Sequence, residues 1–188
     1  MTEARLVAQA LAGSQSAFEQ IVRRYQRPII SLIARITGDH AQSEDLAQET
    51  FVKAFRNLAA FDAARSLSSW LFRIAHNTAV DALRRSRRAV VSTGELPKGA
   101  AEPLAEPAAA AAPDPIEREA LGRALEEGLM RLRPDYRAAI ILRYEEELSF
   151  EEIGHVLGIP EVTVRSHVHR ARKELSRRLT AAGWRPPR

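Results

Sequence analysis

The chain has 188 residues, enough for one ordinary domain or two small ones, and its formal net charge is +4. It contains no cysteine, which excludes disulfides and thiolate metal sites. Met1–Ala10 lacks the apolar core of a signal peptide, and no stretch approaches the roughly 18 apolar residues of a membrane helix. We therefore expect a cytoplasmic protein that is not inserted in a membrane.

The N-terminal half predicts three helices. Apolar residues recur at intervals of three and four from Phe18 to Ile36, and Gly38 then predicts the helix end. A second apolar stripe runs from Ala47 to Leu58, and a third helix is expected from about Ser69 to Arg88. Because no alternating strand pattern competes with these stripes, the predicted fold class is all-α.

A proline- and alanine-rich segment divides the chain. Residues 100–113 read AAEPLAEPAAAAAP, and three prolines cannot lie inside a helix. We expect a flexible linker over 92–115, between one small helical domain at 1–91 and another at 116–188. The alanine run alone could be helical. Four helices are predicted in the second domain, starting near Ile116, Asp135, Ser149 and Pro160.

Two of these helices predict a DNA-binding helix-turn-helix between Ser149 and Leu175. Ser149 and Glu152 have the spacing of a capping box, in which each side chain binds a free amide of the first turn. Gly158 can adopt the left-handed conformation that ends a helix, and Pro160 is tolerated at the start of the next one.

The second helix of this motif has one apolar and one cationic face. Its apolar stripe predicts a buried side, and the opposite side carries hydrogen-bond donors and cations suited to a major groove. From Val162 to Arg188 there are 8 basic residues and 1 acidic residue. An ordinary solvated basic helix is the alternative. The apolar stripe comprises Val164, Val168, Ala171 and Leu175. The residues placed to reach base edges are Arg165, Ser166 and His169. Those better placed to contact phosphates are Arg170, Arg172, Lys173 and Arg177.

An acidic cluster lies on the second predicted helix, away from the apolar stripe. Glu44, Asp45, Gln48, Glu49 and Val52 share that side. Such a cluster could bind a divalent metal, but on a single helix it is more often a solvated or protein-docking face. His167 and His169 point to different sides of their helix, so we predict no metal site and no cofactor.

The third predicted helix carries an aromatic residue and an amide beside a row of arginines. Trp70, Arg73, Asn77, Arg84 and Arg88 fall within about 60° of one another around the helix axis. This combination is typical of a platform for single-stranded nucleic acid, where bases stack on the ring and phosphates follow the arginines. Core packing of Trp70 is an equally good explanation of that one residue.

Three segments together resemble a known family. They read GDHAQSEDLAQETFVKAF, SSWLFRIAHNTAVDALRRSRR and LRPDYRAAIILRYEEELSFEEIGHVLGIPEVTVRSHVHRARKEL. In this order, with a short linker, they resemble an extracytoplasmic-function sigma factor, a bacterial transcription protein with only the second and fourth sigma regions. The resemblance covers about Ala17–Arg88 and Ile116–Leu179.

The resemblance implies an alternative sigma factor, not an enzyme, that binds core RNA polymerase and directs promoter-specific transcription initiation. Its implied partners are the polymerase β′ clamp helices and β subunit, promoter DNA and an anti-sigma factor. A specificity loop at about Phe61–Ser69 would capture a flipped base of the −10 element. The implied polymerase contacts are Asp45, Gln48 and Glu49; those to the −10 strand are Phe61, Leu67, Trp70, Arg73, Asn77 and Arg84; those to the −35 duplex are Thr163, Arg165, Ser166, His169, Arg170 and Lys173.

Several positions depart from the family's usual residues. Val162 and Glu147 stand where glycine is common, Gly154 where alanine is common, and Leu67 where phenylalanine is frequent. Val162 and Leu67 lie near the surfaces that would read DNA, so they put the promoter sequence in doubt.

Two other function classes are alternatives. A two-component-type helix-turn-helix regulator would need a receiver domain of alternating strands and helices, which the first half does not predict. A metal-dependent nuclease would use Glu44, Asp45 and Glu49, but no phosphate-binding loop or nucleophile–base pair accompanies them.

Overall fold

The computed structural model describes residues 3–62, 65–93 and 115–184. Within those ranges every regular element is helical, which confirms the predicted all-α fold class. A single 3₁₀ turn, Leu58–Ala60, follows the third helix. The helices are α1 (Glu3–Leu11), α2 (Gln15–Thr37), α3 (His40–Arg56), α4 (Leu67–Thr93), α5 (Pro115–Met130), α6 (Pro134–Tyr144), α7 (Phe150–Leu157) and α8 (Glu161–Ala181).

Local sequence signals set the ends of α2 and α3. The Ser14 hydroxyl accepts the amide of Ala17, and the Asp39 carboxylate accepts the amide of Gln42, so each caps the first turn of its helix. Gly38 lies between the two helices with φ 75°, the left-handed conformation that glycine adopts without steric cost. The predicted end at Gly38 is therefore confirmed.

The first four helices pack on one another through the predicted apolar stripes. α2 contacts α1, α3 and α4, and its residues Ile29, Leu32 and Ile33 are completely buried. α1 was not predicted from the sequence; it is short but buries Leu6 and Val7 against this core. Burial of apolar side chains at this density supplies the main driving force for folding.

The helices α5–α8 pack around α8, which contacts α5, α6 and α7. Their core includes Leu142, Ile153 and Val164, each completely buried or nearly so. The four helices start within a residue of the predicted positions.

The two groups of helices are in contact, α2 with α6 and α4 with α7. On the α2 side, Arg35 Nε donates to Glu126 Oε1 at 3.0 Å, and Arg35 Nη1 donates to Glu145. The guanidinium of buried Arg137 in α6 donates to the main-chain oxygens of Arg35, Met130 and Leu132. This cation therefore joins the end of α2 to the end of α5.

The boundaries of the predicted linker differ from those in the structure. Residues 92 and 93 belong to the end of α4, and Pro115 begins α5. The rest of the predicted linker, 94–114, lies outside the described residues. In the part of the chain that is described, no helix is long and apolar enough to cross a bilayer.

Candidate nucleic-acid interface

A cleft of about 300 Å³ opens between α3 and α4. It brings together three residues of the predicted single-strand platform with polar groups at the end of α3. The cleft is lined by Lys53, Asn57, Ala60, Trp70, Arg73, Ile74, Asn77 and Thr78.

Trp70 has both of the roles considered for it. It is partly buried against the hydrophobic core, and its ring meets Phe61 edge-on at 5.4 Å between ring centroids. The same residue lines the cleft, beside the exposed Arg73 and Asn77. A ring fixed from behind but accessible in a cleft is suited to stacking with a base.

Lys53 supplies a cation that was not predicted from the sequence. Its Nζ donates to the Thr78 hydroxyl at 3.2 Å and lies 2.7 Å from Glu49 Oε1. Asn57, one turn further along, was also missed. Lys53 and Asn57 are four residues apart, so they lie on the same side of α3, close before the predicted specificity loop. This spacing was the sequence signal for their place in the cleft.

Leu67 requires a correction. It was assigned to the −10 strand, but it is the first residue of α4 and only 1% exposed, so its side chain belongs to the hydrophobic core. Arg84 is exposed on α4 and lies 3.6 Å from Asp81, while Phe61 packs against Trp70. Residues 63 and 64 of the predicted specificity loop lie outside the described residues.

α7 touches the edge of this cleft. Arg73 Nη1 lies 3.3 Å from His155 Nε2, and the Ser66 hydroxyl donates to Glu152 Oε1 at 2.7 Å. Burial, followed by the guanidinium groups of Arg65 and Arg73, lowers the pKa of His155. The predicted strand platform on α4 is thus in contact with α7, the first helix of the helix-turn-helix.

The helix-turn-helix has the predicted capping geometry. The Ser149 hydroxyl accepts the amide of Glu152, and the Glu152 carboxylate accepts the amide of Ser149, which confirms the capping box. Gly158 ends α7 with φ 68°, as predicted. Pro160 precedes α8 as its N-cap rather than forming its first residue.

Two of the unusual residues, one just before this motif and one within it, are explained by the backbone. Glu147, which stands where glycine is common, has φ 55°, so the turn does require the left-handed region there. A Cβ added at Gly154 would lie 2.8 Å from the main-chain oxygen of Ile159, so the close approach of the turn to α7 explains this glycine.

α8 separates its two faces as predicted. Val164, Val168, Ala171 and Leu175 are buried. The outward face is uncovered in the described structure, and Val162 is 70% exposed. The exposed polar residues on this face are Arg165, Ser166, His169, Arg170 and Lys173.

Several of these side chains have partners on the protein. Arg170 Nη1 donates to the Tyr136 hydroxyl at 3.2 Å, and the Ser166 hydroxyl donates to the main-chain oxygen of Val162 at 3.1 Å. Arg165 binds Glu161, one turn earlier. Thr163 is only half-exposed, at the start of the helix. The cationic face is therefore partly ordered by its own helix and by α6.

The acidic side of α3 is exposed as predicted. Asp45 and Gln48 are exposed, and Val52 beside them is 48% exposed. Glu49 is half-exposed, with carboxylate oxygens 2.7 Å from Lys53 Nζ and 3.8 Å from Arg85 Nη2. An apolar residue among polar ones is more typical of a protein-docking face than of a metal site.

Two family descriptions match separate parts of the chain. Residues 21–89 match "Sigma-70 region 2", and residues 122–175 match "Sigma-70, region 4". The first range contains the cleft between α3 and α4, and the second contains the helix-turn-helix.

Curated relatives match almost the whole chain. The ECF RNA polymerase sigma factor SigW of Bacillus subtilis (strain 168) is 34% identical over 191 residues, covering 92% of this chain and 94% of the relative. The RNA polymerase sigma-H factor of Pseudomonas aeruginosa is 35% identical over 183 residues, covering 93% of this chain and 92% of the relative.

Two solved structures have a similar fold. The sigma factor RpoE, in a complex with the anti-sigma factor NepR from Bartonella quintana, has a TM-score of 0.71 and 26% identity, covering 87% of this chain and 96% of that one. CnrH, in a complex with the cytosolic domain of CnrY, has a TM-score of 0.67 and 28% identity, covering 94% and 96%.

Proposed function

Given that this chain belongs to the ECF family of RNA polymerase sigma factors, we propose that three of its surfaces hold different parts of a transcription initiation complex. As a member of the family it is an alternative sigma factor that directs transcription initiation. We assign polymerase docking and −10 recognition to residues 1–91, −35 recognition to 116–188, and a connecting role to 92–115.

The strand-binding surface is the cleft between α3 and α4. Trp70 stacks on an unpaired base, while Lys53 and Arg73 face the phosphates beside it. Opening a duplex costs a few kcal/mol for each unstacked base, and a cleft that holds the exposed base offsets that cost. The single observation that carries this assignment is the convergence of Trp70, Arg73 and Asn77 on one cleft.

The duplex-binding surface is the outward face of α8. Arg165, Ser166 and His169 lie in its first turns, where a recognition helix contacts base edges, and Arg170 and Lys173 follow toward the phosphates. The exposure of these side chains in a segment of high positive charge supports this assignment.

The polymerase-docking surface is the acidic side of α3. Asp45 and Gln48 are exposed beside Val52, and we assign them to the β′ clamp helices. Glu49 stands at the edge of this surface, where its pairing with Lys53 also orders the strand cleft.

The work of these surfaces is binding and positioning rather than catalysis, and it takes place where core polymerase acts, in the cytoplasm. The solved relatives RpoE and CnrH are bound to NepR and CnrY, respectively. We propose that an anti-sigma factor also regulates this chain. The receiver-type regulator is ruled out as an alternative, because the first half matches sigma region 2.

Run-off transcription with purified core polymerase and a mapped promoter tests the proposal. The wild-type chain should give promoter-dependent transcripts, and Asp45→Ala/Gln48→Ala should lower polymerase binding by at least about tenfold, since interface hot spots contribute 2 kcal/mol or more. Glu119→Ala, at an exposed position of α5, serves as the control. Transcription without a promoter requirement, or cleavage of the DNA, would contradict the proposal.

A further inference from the structure

Arg165 is the most precisely held of the exposed cations on α8. Its side chain is 58% exposed, and an exposed arginine normally samples many rotamers in water. Here two neighbours restrain it, one on its own helix and one on α7. Restraint before binding matters because ordering a long side chain at the interface opposes association.

The first restraint is Glu161, one turn before Arg165. A single carboxylate oxygen, Oε1, accepts from Arg165 Nε at 3.0 Å and from Nη2 at 2.5 Å. This contact uses the Nε side of the guanidinium and leaves the Nη1 group and the second Nη2 hydrogen out of it. Those remaining donors form the end-on fork that pairs with O6 and N7 of guanine in a major groove.

The second restraint is the ring of Phe150, the first residue of α7. The guanidinium carbon of Arg165 lies over this ring, 4.4 Å from its centroid, where the negative face of the ring attracts a cation. A carboxylate on one edge and a ring against one face together define the plane of the guanidinium.

Phe150 is itself fixed in place. It packs against the hydrophobic core, and the capping box of Ser149 and Glu152 sets the main chain beside it. Arg143 of α6 also lies over the ring, at 4.9 Å, and donates from Nη1 to the main-chain oxygen of Leu148 at 2.8 Å. The orientation of Arg165 therefore depends on α6 and α7 as well as on α8.

We propose that Phe150 and Glu161 are positioning residues that hold Arg165 end-on toward a guanine of the −35 duplex. Phe150 is then a determinant of promoter specificity outside the recognition helix. This inference rests on the proposed function of α8 as the reader of that duplex.

Selection from a randomised −35 library by the reconstituted holoenzyme tests the inference. The wild-type holoenzyme should enrich guanine at one position, and Arg165→Ala should abolish that preference. Phe150→Leu retains an apolar side chain but removes the ring, so the preference at that position should fall about 2- to 5-fold, the range of an exposed cation–π contact. Phe150→Tyr should restore it.

Controls separate positioning from general damage. The double variant Phe150→Leu/Arg165→Ala should select like Arg165→Ala alone, because the ring acts through the arginine. Tyr144→Leu, an exposed aromatic of α6, should leave selection unchanged. If thermal melting shows that Phe150→Leu fails to fold, Glu161→Ala, which removes the other restraint from an exposed position, should produce the same loss at the same position.

Three results would overturn the inference. Equal losses at all positions would mean that Phe150 only maintains the fold, and an unchanged preference in Phe150→Leu would mean that the ring does not orient Arg165. Retention of guanine by Arg165→Ala would assign the base contact elsewhere. A wild-type holoenzyme that selects no −35 sequence would instead refute the proposed function of α8, and with it the inference.

Discussion

The two surfaces assigned to DNA differ in how the rest of the chain covers them. On α4, Arg73 and the preceding Ser66 contact His155 and Glu152 of α7. On α8, the outward face is exposed throughout its first turns. The proposed duplex-binding face is therefore accessible in the folded chain, whereas a strand that bound along α4 would compete with the packing of α7.

The covering of α4 depends on contacts at the other side of the molecule. Arg35 and Arg137 join α2 to the ends of α5 and α6, and these contacts keep the two groups of helices together. Both guanidinium groups are mostly shielded from water, since the side chain of Arg35 is 12% exposed and Arg137 as a residue 6%. Electrostatic contacts are stronger in such surroundings, and breaking them costs more.

The largest effect on stability is expected from Arg137→Met. This change should loosen the contact between the two groups of helices and so uncover α4, as α8 is already uncovered. Methionine fills similar space but leaves the main-chain oxygens of Arg35, Met130 and Leu132 without this donor. We expect the free energy of unfolding to fall by about 2 to 3 kcal/mol, measured by urea denaturation. The exposed Arg131→Met is the control, and equal stability of the two variants would show that Arg137 does not hold the groups together.

The next largest effect is expected from Trp70→Ala, which weakens only the α4 surface. Base–aromatic stacking is worth about 1–3 kcal/mol per base, so binding of a −10 single strand by the holoenzyme should weaken about 5- to 150-fold. Duplex −35 binding should not change. Fluorescence anisotropy measures both, with Trp184→Ala as the matched tryptophan control. A parallel loss of duplex binding would mean that Trp70 maintains the fold instead.

A smaller effect is expected from Lys173→Ala, which weakens only the α8 surface. A lysine that contacts a phosphate contributes to affinity for any sequence, so the variant should bind all −35 duplexes more weakly by a similar factor. The slope of log affinity against log salt should decrease in magnitude by about 0.9. The control variant Arg123→Ala on α5 should leave the slope unchanged. An unchanged slope in Lys173→Ala would show that this lysine does not contact a phosphate.

A separate effect concerns pH, through Glu146 at the contact between α2 and α6. Burial, followed by the neighbouring Glu145 carboxylate, raises the pKa of Glu146 to about 7. The folded state thus holds this proton more tightly than the unfolded state, and the resulting stability is fully present below about pH 4.5 and lost as pH rises through 7. Glu146→Gln should therefore unfold less readily than wild type at pH 8 but not at pH 4.5. Urea titrations measure the free energy of unfolding of both proteins across this pH range. A constant difference between them at every pH would contradict the prediction.

Local features could be predicted from sequence because they depend on neighbouring residues. The capping box at Ser149, the helix end at Gly38 and the buried stripe of α8 all follow from spacings within a few turns. The position of Leu67 could not be predicted, because a resemblance in sequence does not say whether an apolar residue next to a loop faces DNA or the core.

Contacts between distant segments could not be predicted from the sequence either. Arg35 and Glu126 are 91 positions apart, and Ser66 and Glu152 are 86 apart, so no local spacing joins them. The cleft on α4 was only half predicted for the same reason. Trp70, Arg73 and Asn77 lie on one helix, but Lys53 and Asn57 reach the cleft from α3 through tertiary packing.

Site-specific photocrosslinking in the holoenzyme tests the contrast between the two surfaces most directly. One variant carries Asn77→benzoylphenylalanine on α4 and the other His169→benzoylphenylalanine on α8. Each is assembled with core polymerase on a mapped promoter and crosslinked before and after strand opening. The His169 position should crosslink the upstream duplex in both states, and the Asn77 position should crosslink one DNA strand only after opening. Crosslinks from both positions to the same duplex segment, or an Asn77 crosslink unaffected by opening, would contradict the assignment of α4 to the melted strand.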